Sequence, residues 1–319
     1  MISKDQSTIR INWPKKNDQP MVSIACFTYN DENHINEAID NILGQITNFP
    51  FEIVIGDDYS SDSTYEELLK YKEKYPDLIR LFRNNENKGR LENWLSTLSE
   101  CKGSYIAMCD GDDYWTDSSK LTKQVNMLES HPEYSGLYHS VNIVNKDLKV
   151  LGKLPKKGED FINIGQFIES WYEIPTCSVM FRNLFLELEI NKNSLIFRNL
   201  KYVVDYSLDI LIVERGIYKF IDENMADYRI IRDSDSFSSM GELEIRSDVL
   251  RSRDNVNLHL GYKYNNLINK SKERSNMLLL LKIYRDEGVK SFFSRFINLK
   301  FINKYKFLRD LISYSKRRL

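Results

Sequence analysis

The chain is short of the residues that build staples and metal knots. Its four cysteines (Cys26, Cys101, Cys109 and Cys177) show no CxxC spacing. That excludes a disulfide scaffold and reads as buried thiols in a reducing compartment. Its four histidines (His34, His131, His139 and His259) are scattered, which argues against a zinc site. No stretch approaches the ~18 apolar residues of a membrane span. The longest tight apolar run is Met277–Leu281. The opening segment, MISKDQSTIRINWPKKNDQP, is polar and lacks the apolar core of a secretory signal. A cytoplasmic protein is expected, at most peripheral on the inner face of the cytoplasmic membrane. An excess of one charge sign is also missing: the net charge is −1, so nothing points to nucleic acid.

What is present is ordinary globular material. The 319 residues are 42% hydrophobic and 29% charged, which excludes a disordered or collagen-like chain. A chain of this length can bury roughly 75% of its unfolded surface. The neutral total hides an asymmetry. Residues 282–319 hold eleven Lys and Arg against three Asp and Glu, a net of +8, which leaves −9 for the rest. Such a tail suggests a separate electrostatic role. Nothing in the sequence speaks to oligomeric state.

Short apolar runs alternate with helical periodicity. Met21–Phe27, Phe51–Gly56, Ile79–Phe82 and Tyr105–Cys109 read as buried strands. Between them, Asp31–Leu43, a segment reaching Lys74 and Arg90–Cys101 read as helices. Ser60, Ser61 and Asp62 offer N-caps for the second helix. This β-α-β-α-β-α-β order, with continuous apolar strands, predicts an α/β fold with a mostly parallel sheet and helices on both faces. Further on, a helix is expected from Leu121 to Ser130, strands at Tyr134–Val144 and Thr176–Arg182, and a helix over Val203–Arg215. Asn145–Lys149 resembles a turn. From Leu243 the pattern is helical to the end.

In such sheets ligands bind beyond the carboxyl ends of the strands. Three polar clusters should meet there. Asp110-Gly111-Asp112-Asp113 places three carboxylates in four residues, which repel one another unless a hard cation or solvent offsets them. Asp57-Asp58 could accept hydrogen bonds from a base imide or ribose, or cap the following helix. Thr28-Tyr29-Asn30 could offer an aromatic face and polar contacts to a base, or be a plain strand exit. Arg90, beside Gly89 at a helix start, suits a diphosphate, with a surface arginine as the alternative. Trp115 beside the acidic turn reads as packing.

In combination these runs carry a resemblance. VSIACFTYNDENHINEAIDNIL, FEIVIGDDYSSDST, NENKGRLENW and GSYIAMCDGDDYWTDSSKLTKQV, in that order, closely resemble the nucleotide-sugar-binding half of family 2 glycosyltransferases with the GT-A fold. The wording is similar to bacterial enzymes that build capsule, O-antigen or other surface polysaccharides. The resemblance covers roughly residues 20–235. It implies inverting transfer from a nucleoside-diphosphate sugar, with uridine as the expected base, to a saccharide or polyprenyl-linked acceptor. It implies that Thr28, Tyr29, Asn30 and Asp58 hold the nucleoside. Asp110, Gly111 and Asp112 match the family's DxD, which binds ribose and a Mg²⁺ or Mn²⁺, with Asp113 as an adjacent alternative metal ligand. VVDYSLDILIVERG matches the segment that supplies the base. Asp205 stands at that position, and Asp209, one turn on, is its competitor. DENMADYRIIRDSDSFS resembles the segment that closes over the diphosphate, but Ile230, Ile231 and Arg232 stand where relatives often carry a histidine. Ile174–Ser178 resembles the acceptor-side strand.

The expected organisation is a lead-in (1–20), a catalytic domain (21–240) and a helical C-terminal extension with a basic tail (241–319). The catalytic domain divides into a nucleotide-sugar half (21–115) and an acceptor half (116–240). Aromatic and basic residues in 289–319 suit a membrane surface or packing on the protein. Two rival functions are a nucleotidyltransferase and a non-catalytic nucleotide-sugar-binding protein. The first would usually carry a glycine-rich basic loop after the first strand, where this chain has TYNDEN.

Overall fold

The computed structural model describes residues 19–156, 158–169, 174–230 and 242–287. Four strands open the fold: β1 (Val22–Thr28), β2 (Phe51–Asp57), β3 (Ile79–Arg83) and β4 (Tyr105–Asp110). They alternate with α1 (Ile35–Leu43), α2 (Thr64–Lys74) and α3 (Arg90–Ser99). Every residue of β1 and β2 is buried, as expected of strands covered on both faces. In α1, Ile35, Ala38, Ile39 and Ile42 are buried at i, i+3, i+4 and i+7, so one stripe packs on the sheet.

The remaining elements are β5 (Tyr114–Trp115), α4 (Lys120–Ser130), β6 (Tyr134–Val144), β7 (Val150–Leu154), β8 (Phe161–Ile162), α5 (Ile164–Glu169), β9 (Met180–Arg182), α6 (Asp205–Val213), β10 (Ile217–Arg229), α7 (Glu242–His259) and α8 (Asn265–Glu287). The strands form one sheet in the order β3-β2-β1-β4-β9-β6-β10-β5, with β7 on β6 and β8 on β10. β1 is parallel to β2 and β4, and β2 to β3. β9 is antiparallel to both β4 and β6, and β6 is parallel to β10. Six strands therefore run the same way and end at one edge. Alternation along the strands divides the core: Ala25, Phe27 and Val54 face one layer, and Ile24, Cys26, Ile53 and Ile55 the other. All four cysteines are free and buried.

Two expectations need correction. Thr176–Arg182 is not one strand: Thr176–Ser178 form a 3-10 turn, and the strand is only Met180–Arg182. Ile217–Arg229, where no strand was expected, is a thirteen-residue strand.

The C-terminal helices brace the segment before α6. Asp248 on α7 accepts the backbone N–H groups of Lys201 (3.0 Å), Tyr202 (2.7 Å) and Val203 (3.0 Å). The Ser207 and Ser252 hydroxyls meet at 2.9 Å. Among the described residues no helix is long and apolar enough to cross a membrane. The lead-in up to residue 18, Arg232 and the basic segment 289–319 lie outside the described residues.

Candidate active site

The acidic turn leaves β4 at the shared edge. The Gly111 N–H donates to the Phe27 carbonyl at 2.7 Å, which holds the turn against the end of β1. A Cβ at Gly111 would stand 2.6 Å from Asp31 Oδ2 and 2.8 Å from Thr28 Oγ1, so only glycine permits this approach. Gly111 thus works by being small.

Asp31, which the sequence reading did not single out, belongs to this cluster. Its Oδ2 accepts from the Thr28 hydroxyl (2.7 Å) and the Tyr29 N–H (3.2 Å). Burial, followed by the charges of Asp112 and Asp110, pushes its carboxyl well above the usual range. Asp110 is raised to about 7 by burial, with Asp112 and Asp205 adding to the shift and Arg90 and the Thr176 hydroxyl opposing it. Burial also raises Asp112, against the nearby Arg229 and Arg90 guanidinium groups. Like charges held together out of water favour protons or a cation.

Asp113 sits deeper: it is 1% exposed, and burial, then the charges of Asp112 and Asp110, push its carboxyl well up. Its Oδ1 accepts the Arg229 N–H at 2.8 Å, which ties the acidic turn to β10, while its Oδ2 has no partner among the described residues. Among the described residues no group of three or more His, Cys, Asp or Glu is already gathered closely enough to hold a metal. The chemistry nonetheless fits Mg²⁺ or Mn²⁺. Asp110 and Asp112 give two carboxylates in a cation-seeking field, and such ions often take one or two carboxylates plus substrate phosphates.

The expected nucleoside contacts divide. Tyr29 is half-buried at the exit of β1. Thr28 is 3% exposed and turned to Asp31. Asn30 sits at φ 56°, and its Oδ1 accepts the Ser61 N–H at 2.8 Å. Ser60 accepts the Asn30 N–H at 3.0 Å, so these serines join two loops instead of capping α2. Asp58 is 3% exposed, and its carboxylate accepts from Asn84 Nδ2 (2.8 Å), the Lys88 N–H (2.9 Å) and the Gly89 N–H (2.8 Å). The expected reader of the base is thus occupied with the loop before α3. That loop passes through Gly89 at φ 84° and places Arg90 at the helix start, its guanidinium 4.7 Å from the Trp94 ring centroid. Trp115 packs as expected, 1% exposed, its indole N–H on the Cys177 carbonyl at 3.0 Å.

Asp205 and Asp209 separate clearly. Asp205 is the first residue of α6, partly exposed, and its charge acts on Asp110. Asp209 is buried and accepts the Tyr218 hydroxyl at 3.1 Å; burial, then Asp205, pushes its carboxyl well up. Arg229, at the end of β10, is 3% exposed. It pairs with Glu37, stacks 5.2 Å from the Tyr114 ring centroid and keeps Nε and Nη1 without partners among the described residues. Asp31, Thr176 and Glu37 carried no strand-end signal in the sequence; only the fold brings them to this edge.

Residues 23–188 match the profile of Glycosyl transferase family 2. The chain belongs to that family. A glucosyltransferase of Escherichia coli, WfaP, named UDP-Glc:alpha-D-GlcNAc-diphosphoundecaprenol beta-1,3-glucosyltransferase, is 30% identical over 239 residues, covering 73% of this chain and 86% of that relative. An uncharacterized protein of Mycobacterium tuberculosis is 42% identical over 126 residues, which is 40% of this chain and 36% of the relative. The match thus spans about a third of that relative's length. Among solved structures, Staphylococcus aureus TarS 1-349 in complex with UDP-GlcNAc superposes with a TM-score of 0.54 at 17% identity, covering 85% of this chain and 89% of TarS. That likeness shows the shared fold of this family 2 chain.

Proposed function

We propose that this protein transfers a sugar, with inversion, from a nucleoside-diphosphate sugar to a saccharide or polyprenyl-linked acceptor in bacterial surface-polysaccharide synthesis. A UDP-sugar is the favoured donor, because two relatives, WfaP and WfgD of Escherichia coli, are named for UDP-Glc and a diphosphoundecaprenol acceptor. What supports the reading is the Asp110–Asp112 turn held against the end of β1 by the Gly111 N–H on the Phe27 carbonyl at 2.7 Å, with Asp205 opening α6 near enough for its charge to act on Asp110.

In this reading Asp205 takes the proton of the acceptor hydroxyl while that oxygen bonds to the anomeric carbon. The bond from that carbon to the diphosphate oxygen breaks on the opposite face, and its electron pair leaves with the nucleoside diphosphate. Asp110 and Asp112 would hold Mg²⁺ or Mn²⁺, which when bound offsets the charge of the leaving diphosphate. Arg90 adds positive charge from the start of α3, where helix N–H groups also favour anions. Tyr29 offers its ring to the base, and Asn30 and Asp58 shape the loops around it. Gly111 lets the acidic turn lie against β1.

The test is a panel of nucleotide sugars with a polyprenyl-diphosphate sugar as acceptor, the product's anomeric configuration being read by NMR. An α-configured UDP-sugar should give a β-linked product, and Asp112→Ala should give none. Retained configuration would overturn inversion, and undiminished turnover in Asp112→Ala would overturn the role of the acidic turn.

A further inference from the structure

The edge that carries the acidic turn also carries a hairpin that the site does not use. β4 and β6 run the same way, since each is antiparallel to β9. The β6–β7 turn therefore leaves the sheet on the same side as Asp110. Asn145 closes this turn. Its N–H donates to the Lys149 carbonyl at 3.1 Å, and its Oδ1 accepts the N–H groups of Asp147 (3.1 Å) and Lys149 (2.9 Å).

This well-tied turn holds aliphatic side chains out into water. Leu148, Val150 and Leu151 are 46%, 56% and 57% exposed. Leu148 sits at φ 59°, where glycine or asparagine would be less strained. Leu151 is the extra residue of a bulge, since Val150 pairs with Val144 and Gly152 with Ile143, so three exposed aliphatic side chains crowd the tip without the usual alternation of a strand. The surroundings are cationic: segment 145–157 holds five lysines and one aspartate. Lys146, Lys149, Lys153 and Lys156 are exposed, and of these Lys153 pairs with Asp222 at 3.1 Å. Aliphatic side chains ringed by lysine suit the interface of an anionic bilayer.

We propose that the β6–β7 hairpin is a membrane wedge: Leu148, Val150 and Leu151 enter the interfacial layer of an anionic bilayer, with Lys146 and Lys149 at the headgroups. The wedge would turn the Asp110 edge of the sheet toward lipid. Its usefulness rests on the proposed lipid-linked acceptor; the contact itself is measured without one.

The full chain should float with phosphatidylglycerol–phosphatidylethanolamine vesicles, less so as salt rises. The triple variant Leu148→Ser, Val150→Ser, Leu151→Ser should lose about tenfold or more in vesicle affinity, because three side chains no longer leave water. Nucleoside diphosphate binding, measured by calorimetry on the same variant, should match the unmodified chain. A failure of nucleotide binding by the unmodified chain would count against the glycosyl-transfer reading and not against the wedge. Because the four native cysteines are buried, Leu148→Cys can carry an environment-sensitive fluorophore, whose emission should shift to the blue on adding the vesicles. That measurement decides the matter if the triple variant does not fold. The wedge is overturned if the chain does not float, if the triple variant floats undiminished, which would assign binding to 289–319, or if the fluorophore does not respond. It is also overturned if the triple variant changes only the oligomeric state in light scattering.

Discussion

At the residue scale, the two carboxylates of α6 differ in what surrounds them. Asp205 lies at the helix start, partly exposed, with its charge felt at Asp110. Asp209 is enclosed and holds the Tyr218 hydroxyl. Asp205→Asn should therefore lower kcat by roughly 10²–10⁴-fold, the size of a lost general base, with donor affinity nearly unchanged. Asp209→Asn should keep turnover within severalfold, since an amide oxygen still accepts from Tyr218. Steady-state kinetics with calorimetric donor binding would check both; a reversed order would move the base to Asp209. The resemblance put Asp205 first with Asp209 one turn on as its competitor; the enclosure of Asp209 was not legible, because it depends on Tyr218 reaching it from β10. Asp110 and Asp112 were legible because they follow a continuous apolar strand. Asp31 was not, since TYNDEN reads as a plain exit loop until Gly111 is laid against it. Asp58 was placed at the right edge beside Thr28, whose carbonyl accepts its N–H at 3.0 Å, but its bonds to Lys88 and Gly89 were not legible because they cross a long stretch of chain.

At the element scale, β1 to β4 and α1 to α3 were legible because each carries an unbroken apolar run or stripe. β10 was not. Its middle residues, Asp222, Glu223 and Asn224, are exposed at a register shift against β6, which breaks the alternation that would mark a strand. The Thr176–Ser178 turn is equally silent in sequence, and it is held from α4. Lys120 at the start of α4 is fully buried, its Nζ 4.2 Å from the Trp115 ring centroid and 2.8 Å from Gln124 Oε1. Gln124 Nε2 in turn donates to the Ser178 carbonyl at 3.0 Å. Burial lowers the Lys120 ammonium to about 7. Its pKa is depressed on folding, so above pH 7 the unfolded chain binds more protons at this site, and stability should rise with pH from there. The buried thiols Cys109 and Cys177 are raised well above 9.0 and oppose this at higher pH, as do the raised carboxyls of Asp31, Asp113 and Asp209 while they titrate, so the Lys120 contribution is a difference between two proteins. Denaturant unfolding between about pH 7 and 9 should show a more positive slope of stability against pH for the unmodified chain than for Lys120→Met. Parallel slopes for the two proteins would mean that Lys120 stays charged in the fold.

At the scale of the whole molecule, the site is a meeting of distant chain segments around a sheet edge, braced from behind by Asp248 on α7. The edge concentrates negative charge from Asp31, Asp110 and Asp112, and in the absence of a cation this opposes folding. Removing one of these carboxylates should relieve the repulsion, so Asp112→Ala should melt at the same temperature as the unmodified chain or higher. The same change should remove the response to ligand. A ligand bound only by the folded state stabilises by about 2.7 kcal/mol at a hundredfold excess over Kd, on the order of 5 °C for a chain of this size. UDP with Mn²⁺ should raise the melting temperature of the unmodified chain by about that amount, and neither component alone should do so. Excess EDTA should abolish the shift. In Asp112→Ala the shift should be absent although the fold is intact, so loss of binding is separated from loss of structure. A full shift in EDTA would show that the nucleotide binds without the cation, and Arg90 and the start of α3 would then have to offset the diphosphate charge by themselves. A lower melting temperature for Asp112→Ala without ligand would instead make that carboxylate part of what holds the edge together, against the repulsion argued from burial.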